Sequence, residues 1–375
     1  MRVEGIQSFG DQDGCGIQAR ISPDRSGVAP FDCWMRFPPV YRPMLTESAN
    51  PFLALTLLPA MILGEPLHID GAVSSSLLAN SERLQHIYRR WVKGAQIISV
   101  TARSSTPEAA PTHNDGVGCF FSGGVDSFNS LLTHKRNITH LVLISGFDKG
   151  LRNPAVLEKA RIALQEVAAA FAKQPLEVST NIRQFTDPLA SWSFYHGGVL
   201  AAVALALCRG IGTFLIPSSY SYDQLHPWGS HPLLDPLWSI PGLQTIHDGC
   251  ELSRYEKVAH IAKTDLALAH LRVCWDTGEG SDSNCGKCEK CLRTMLNLYL
   301  NGALARCPTF PSPLVPRALA SVRLRTEGQM AFMQENLREL ALRQGSYDRT
   351  LYRALRRAMW RGRIRRAARV LVGKK

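Results

Sequence analysis

From Val117 onward, short apolar runs alternate with stretches whose apolar residues recur at helical spacing. Gly118–Phe121, Thr139–Ser145, Leu176–Thr180 and Thr213–Pro217 read as buried strands. Between them, a helix opening near Phe128, a long helix over Pro154–Ala172 and a third over His196–Cys208 complete the alternation. The long helix turns Val156, Ala160, Ala163, Leu164 and Val167 inward. Strand–helix alternation of this kind predicts an α/β fold, a parallel sheet with helices on both faces. Ligands of such sheets lie beyond the carboxyl ends of the strands. That rule gathers Ser122–Ser127, Ser145–Asp148, Thr180–Arg183 and Ser218–Tyr222 at one edge.

The first hundred residues carry a different pattern. Residues 1–30 are rich in Gly, Asp and Ser with little periodicity and predict only a few irregular strands. Cys33–Arg42 reads as an extended segment broken by Pro38-Pro39. Asn50 as a cap, with Pro51 at the first helical position, predicts a helix through Phe52, Leu55 and Leu58 that Pro59 kinks or ends. Leu67-His68-Ile69 is a brief strand, and Ser76–Val92 an amphipathic helix with Leu77, Leu84, Ile87, Tyr88 and Trp91 near one face. Gln96–Thr101 is a further strand, and Arg103–Gly116, with Pro107 and Pro111, a loop and domain boundary. The expected division is an N-terminal α+β module over 1–110, an α/β domain over 111–302 and a helical C-terminal region over 303–375. No chemistry-bearing motif stands in the first module, which reads as a substrate-shaping or dimerisation (homodimer) element.

Charge sharpens this picture at one end. The chain of 375 residues has a formal charge of +12, but Arg338–Lys375 alone holds 13 basic against two acidic residues, so the body is near neutral. Arg349, Arg353, Arg356, Arg357, Arg361, Arg363, Arg365, Arg366 and Arg369 interleave with Leu351, Leu355, Met359 and Ile364. Such a basic tail suits RNA, an anionic membrane surface or an acidic partner, or is a solvated helix end. Met1–Gly16 has no sustained apolar stretch, and runs such as Val199–Cys208 are too short to span a bilayer, so a cytoplasmic location is expected. Ten cysteines in such a chain point to metal ligands or core thiols before disulfides.

The candidate chemistry begins at Ser122-Gly123-Gly124-Val125-Asp126-Ser127, where the first strand turns through two glycines into a helix. That turn leaves backbone N–H groups converging on one spot, with the positive end of the helix dipole behind them, which suits phosphate oxygens. The Ser122 and Ser127 hydroxyls add hydrogen bonds, and Asp126 either holds magnesium or fixes the loop. The spacing is too short for a Walker loop, and no Lys-Ser/Thr pair follows. The hexapeptide S-G-G-x-D-S resembles the pyrophosphate loop of the N-type ATP pyrophosphatases, the PP-loop enzymes. The resemblance implies a HUP-type sheet and cleavage of ATP between its α- and β-phosphates to adenylate a substrate oxygen. On that reading the β,γ-phosphates and magnesium sit at Ser122–Ser127, and backbone at Ser145-Gly146-Phe147 recognises adenine.

A second motif lies downstream. Cys274, Cys285, Cys288 and Cys291 form C-x10-C-x2-C-x2-C, with Gly286 at the turn. Four thiolates so spaced make a closed tetrahedral zinc site, with an iron–sulfur cluster or redox chemistry as the alternatives. Cys15, Cys33, Cys119, Cys208, Cys250 and Cys307 lack such spacing and read as core or surface thiols. Between the motifs, Ser218–Pro241 is a long loop carrying Tyr220, Tyr222, Trp228, Trp238, His226, His231, Asp223 and Asp235, either a cover over the sheet end or a substrate contact.

A PP-loop followed by such a cysteine knuckle resembles the 7-cyano-7-deazaguanine synthase family over Val117–Asn301. In that family a Thr-Lys-x-Glu-Ile-Val segment precedes the knuckle, and its Lys faces the phosphates. The run here is Ser253-Arg254-Tyr255-Glu256-Lys257-Val258, which puts Arg254 on the Lys position and Lys257 nearby as a substitute. The family's Pro-Gly/Ala-Arg-Asn turn is replaced by Tyr195-His196-Gly197-Gly198, and its Tyr-Pro-Asp-Cys-Arg segment by a loop containing PWGSHP. Family members also lack the N-terminal region and the basic tail. The resemblance therefore implies the activation chemistry without the deazaguanine substrate: adenylation of a small-molecule or peptide carboxylate or carbonyl, then capture by ammonia, an amine or a sulfur donor. Asp126, Ser127, Arg254 and Lys257 are the expected catalytic residues. The competing readings are RNA modification by the same chemistry and a non-catalytic nucleotide-binding protein.

Overall fold

The structure, a computed structural model, describes residues 1–106, 114–147, 153–274, 284–310 and 313–371. Strands β1 (Arg2–Asp11) and β2 (Gly14–Ser22) form an antiparallel hairpin, and β3 (Phe31–Phe37) pairs antiparallel with β2. The opening residues thus make regular strands in place of the irregular ones their composition predicts. Only Val3 of β1 is fully buried, so its alternation is too weak to read from sequence. The buried face comes from Ile17, Ala19 and Ile21 of β2. Next come α1 (Asn50–Leu63), β4 (Leu67–Ser74), α2 (Ser75–Trp91) and β5 (Val100–Thr106).

The remaining strands and helices alternate as the apolar pattern predicts. They are β6 (Val117–Phe120), α3 (Val125–Thr133), β7 (His140–Ser145), α4 (Pro154–Ala170), β8 (Gln174–Thr180), the short α5 (Ile182–Thr186), α6 (Trp192–Ala206) and β9 (Thr213–Pro217). A tenth strand, β10 (Gln244–Asp248), has no counterpart in that pattern. It is a polar edge strand paired parallel to β9. Helices α7 (Arg254–Ile261), α8 (Asp265–Ala269), α9 (Glu289–Leu300), α10 (Pro316–Ser321), α11 (Glu327–Ala341) and α12 (Ser346–Leu371) complete the chain.

The ten strands form one mostly parallel sheet in the order β10-β9-β6-β7-β8-β3-β2-β1-β4-β5. Strands β6 to β10 run parallel, so their carboxyl ends share one edge. Both faces are covered at β6, β7 and β9, whereas β1–β5 bury side chains in one core only. Leu141 and Leu143 of β7 enter the core that includes α3, α4, α7 and α9, while Val142 and Ile144 enter the core that includes α1 and α6. Alternate side chains of one strand go to opposite faces, which is why β7 reads as an unbroken apolar run. The first hundred residues add their strands to the same sheet through β3 and β8, at Met35↔Thr180 and Arg36↔Ser179. Asn181 clips this junction: its Oδ1 accepts from Trp34 N–H (3.0 Å), and its Nδ2 donates to the Asp32 carbonyl (2.8 Å).

Two helix expectations need correction. Asn50 is not a cap. It is the first residue of α1, and its Oδ1 accepts from Ser74 N–H across to β4 (2.8 Å). Nor does α1 end at Pro59, since it continues to Leu63. Proline at 59 deprives the Leu55 carbonyl of its helical donor, and the Tyr195 hydroxyl of α6 supplies the replacement at 2.7 Å, fully buried. The C-terminal region is helical as expected, and no helix among the described residues is long and apolar enough to cross a membrane.

Tyr195→Phe removes that donor and leaves a buried carbonyl unpaired. The expected cost is about 1–3 kcal/mol of stability, measurable by urea denaturation, against near-neutral behaviour if α1 ended at Pro59.

Candidate functional site

The turn from β6 into α3 places Ser122–Ser127 at the carboxyl edge of the sheet. Gly123 has a φ of +73°, a left-handed conformation open to glycine at little cost, and its carbonyl accepts from Arg272 N–H (2.8 Å). Gly124 is the N-cap of α3, and no side chain caps that end. The first-turn amides of α3 therefore have no intrahelical partner. Ser122 is exposed, and its Oγ lies 3.4 Å from Gly124 N–H. Val125 packs into the core beneath, and the buried Ser127 hydroxyl donates to the Gly124 carbonyl (3.0 Å).

Asp126 gathers the two expected cations. Arg254 Nη2 donates to Asp126 Oδ2 at 3.0 Å, and Nη1 stands 2.8 Å from Oδ1 as an ion pair without hydrogen-bond geometry. Lys257 Nζ is 3.7 Å from the same Oδ1 and donates to the Ser218 carbonyl (2.7 Å). Ser253 starts α7 with a reciprocal capping box to Glu256, which fixes the helix face carrying Arg254 and Lys257. Burial raises the Asp126 carboxyl, but Arg254 and then Lys257 outweigh it and hold the group below its ordinary value. Burial lowers Lys257, and Asp126 works against that shift. The carboxylate, two cations and the uncapped helix end thus meet at one place, with Arg254 also donating to the Ser219 carbonyl (3.1 Å).

The segment expected to face adenine lies one strand away. Ser145 is buried, and its hydroxyl donates to Glu177 (3.0 Å) and to the Val178 carbonyl (3.2 Å). Gly146 is followed by Phe147, whose ring meets Trp192 edge-on at 4.7 Å. The Phe147 carbonyl accepts from Arg183 Nη1 (2.8 Å), and Arg183 is itself held by Asp187 and stacked 4.1 Å from the Trp192 ring. Asp148 lies outside the described residues.

Ser218–Pro241 is a packed cover with turns at Tyr222–Gln224 and Asp235–Trp238. Tyr220 contacts His226, Trp228 and Phe332. Gly197 of α6 allows this cover to approach, because a Cβ there would collide with the Gly229 carbonyl. The fully buried Asp235 pairs with His247 of β10 (2.6 Å). Burial pulls His247 down, yet its bonds to Asp235 and then Cys250 raise it to about 9. His226 and His231 belong to no cluster of metal-binding groups: among the described residues, Cys274, Cys285, Cys288 and Cys291 are the group so placed.

Those four sulfurs all lie within 4.8 Å of one another, with Cys274–Cys288 and Cys285–Cys291 each at 3.8 Å. A tetrahedron with metal–sulfur bonds of about 2.3 Å has edges of about 3.8 Å, so the donor set fits zinc. Backbone N–H groups of Lys287 and Cys288 point at Cys285 Sγ, and that of Cys291 at Cys288 Sγ, which suits thiolate acceptors. Sequence reasoning misses Asn284, which closes the knuckle. Its Oδ1 accepts from Val273 and Cys274 N–H, and its Nδ2 donates to Leu271 and Thr309. Its only sequence signal is adjacency to Cys285. Residues 275–283 lie outside the described residues.

Compared with protein-family models, curated proteins and solved structures, the chain matches none.

The purified chain is expected to hold about one zinc ion, by metal analysis. Cys288→Ser should lose it and lower the thermal midpoint by several degrees, as expected where metal affinity is part of folding energy. A metal-free chain with an unchanged midpoint would exclude the site.

Proposed function

We propose that the chain is an ATP-dependent adenylating enzyme of the PP-loop type, with the HUP-type sheet and zinc knuckle that go with it. It converts ATP to AMP and pyrophosphate while activating a carboxylate or carbonyl oxygen for attack by ammonia, an amine or a sulfur donor. One observation carries the reading: the uncapped end of α3 and the buried pair Arg254–Lys257 converge on Asp126.

On this reading, the first-turn amides of α3 and the Ser122 and Ser127 hydroxyls hold the β,γ-phosphates. Asp126 partly neutralises Arg254 and Lys257, so the cluster keeps a net positive charge that draws polyphosphate in. Magnesium, when bound beside Asp126, supplies charge neutralisation on the phosphates. Arg254 and Lys257 stabilise negative charge on the departing pyrophosphate, in a site whose burial strengthens each contact. Phe147 and the turn it closes border the adenine side, and no side chain need serve as a covalent nucleophile.

A second reading, in which the activated group is on RNA, is favoured by α12. Its apolar face, including Leu351, Leu355 and Met359, is buried. Its solvent face carries Arg353, Arg356, Arg357, Arg363 and Arg365 around Trp360, which is 65% exposed. Nearby, Arg323, Arg325, Arg365 and Arg366 line a concavity of about 300 Å³. An amphipathic helix that has already spent its apolar face has little left to insert in a membrane, whereas arginines around a free indole suit phosphates and unstacked bases.

Ser127→Ala should reduce ATP-to-AMP turnover by roughly a hundredfold or more in a pyrophosphate-release assay over a carboxylate panel, with the thermal midpoint preserved; Asp126→Asn should do the same while lowering the midpoint, because it strands two buried cations. Turnover equal to the parent's would sink the assignment. For the second reading, affinity for bulk tRNA should fall by roughly a hundredfold between 50 and 200 mM salt and weaken further in Trp360→Ala. The absence of a band shift at low salt would remove it.

A further inference from the structure

Helix α9 leaves the cysteine knuckle with Glu289, Arg293 and Asn297 at four-residue steps, so they share a face. Arg293 is only 5% exposed. Its one ion-pair partner among the described residues is Glu289, at 3.4 Å and without hydrogen-bond geometry, and neither Nε nor Nη1 has a hydrogen-bond partner. The guanidinium instead faces the Phe332 ring of α11, 4.1 Å from its centre. Arg254 lies 5.3 Å from the same ring, and Tyr220 stacks parallel to it at 5.3 Å. One turn beyond Arg293, Asn297 is fully buried with neither amide atom bonded, and so is Asn336, one turn beyond Phe332.

Water serves neutral amides such as those of Asn297 and Asn336 well. A buried guanidinium needs more, because its charge calls for an anion with oxygens in line with its N–H groups. A phenyl ring offers only its π face, a weaker partner than a charged oxygen pair. Two arginines share that one ring; Asp126, which Arg254 holds, is shared with Lys257, and Glu289 meets Arg293 without hydrogen-bond geometry. Arg293 Nε and Nη1 thus lack an aligned oxygen, and the Phe332 ring holds the place where an anion would meet them.

We propose that Arg293 and Arg254 together form a seat for the pyrophosphate end of the nucleotide, and that Phe332 plugs this seat until the phosphates displace it. The proposal rests on the nucleotide reading above and adds to it a residue that the phosphate loop alone does not indicate. It also ties the cysteine knuckle to the reaction, since Arg293 stands two residues beyond Cys291 and the helix that delivers it is set by the metal-binding turn. The plug is latched by Glu335, which accepts from the Gln224 side chain and from Tyr255 N–H (3.3 Å).

Calorimetric titration of the full-length, zinc-loaded chain with inorganic pyrophosphate tests the seat, so that no substrate need be known. Arg293→Gln should weaken binding at least tenfold, with Arg293→Lys intermediate, and Phe332→Ala should tighten it severalfold. Ser127→Ala serves as the control on the phosphate loop. If Ser127→Ala weakens binding while Arg293→Gln matches the parent, the seat is refuted and the nucleotide reading stands. If Arg293→Gln weakens binding while Ser127→Ala does not, the seat stands and the loop reading fails. Should Arg293→Gln not fold, Phe332→Ala decides: unchanged or weaker binding overturns the plug.

Discussion

A carboxylate held between two cations is the constraint on which the site depends. Asp126 comes from the first turn of α3, while Arg254 and Lys257 come from α7. Removing one partner from a buried ion pair strands the other at a cost of about 3–5 kcal/mol. The turn from β6 into α3, the end of β9 and α7 are therefore held in a fixed relation to one another. Lys257 extends the same arrangement to Ser218 at the end of β9, and Arg254 to Ser219. Pairing of this kind is a modest contributor to net stability compared with an apolar packing of the same volume, but it imposes geometry on the three elements it joins.

What can be read from the chain follows from how each part is buried. Strands β7 and β9 are apolar on both faces, so composition alone marks them. Cysteine spacing and the double-glycine turn are local chemistry, and local chemistry survives in sequence. Strand β10 does not show, because its residues Gln244–Asp248 are mostly polar and its pairing partner stands 31 residues earlier at Thr213. The start of α6 reads late, at His196, because Trp192–Tyr195 looks like loop material until it packs on Phe147. That α1 runs on past Pro59 is hidden for a related reason: Tyr195, 136 positions away, replaces the missing backbone donor. Asn284 and Arg293 are invisible for want of any local rule. Their roles exist only once Leu271, Thr309 and Phe332 are brought beside them.

The sheet shows how the N-terminal strands are attached to the site. Strands β3 and β8 meet through two residue pairs, next to the carboxyl end of β8. The Thr180 hydroxyl donates to the Trp34 carbonyl (2.9 Å), so side chains reinforce a short ladder. Helices α1 and α6 then pack in the core shared by both halves. The N-terminal strands are thereby tied to the turn after β8, which is one of the elements bordering the candidate site.

The sequence distance across the site has a kinetic consequence. Asp126 and Arg254 are 128 residues apart, and the carbonyl of Gly123 is bonded to an amide still further along, at Arg272. Contacts of such span are reached late in a refolding reaction, because most of the chain's freedom must be surrendered before they form. The β3–β8 junction spans still more chain than the ion pair, from Met35 to Thr180. The seam between the two halves of the sheet and the closing of the cysteine segment onto the glycine turn are thus both expected late in refolding.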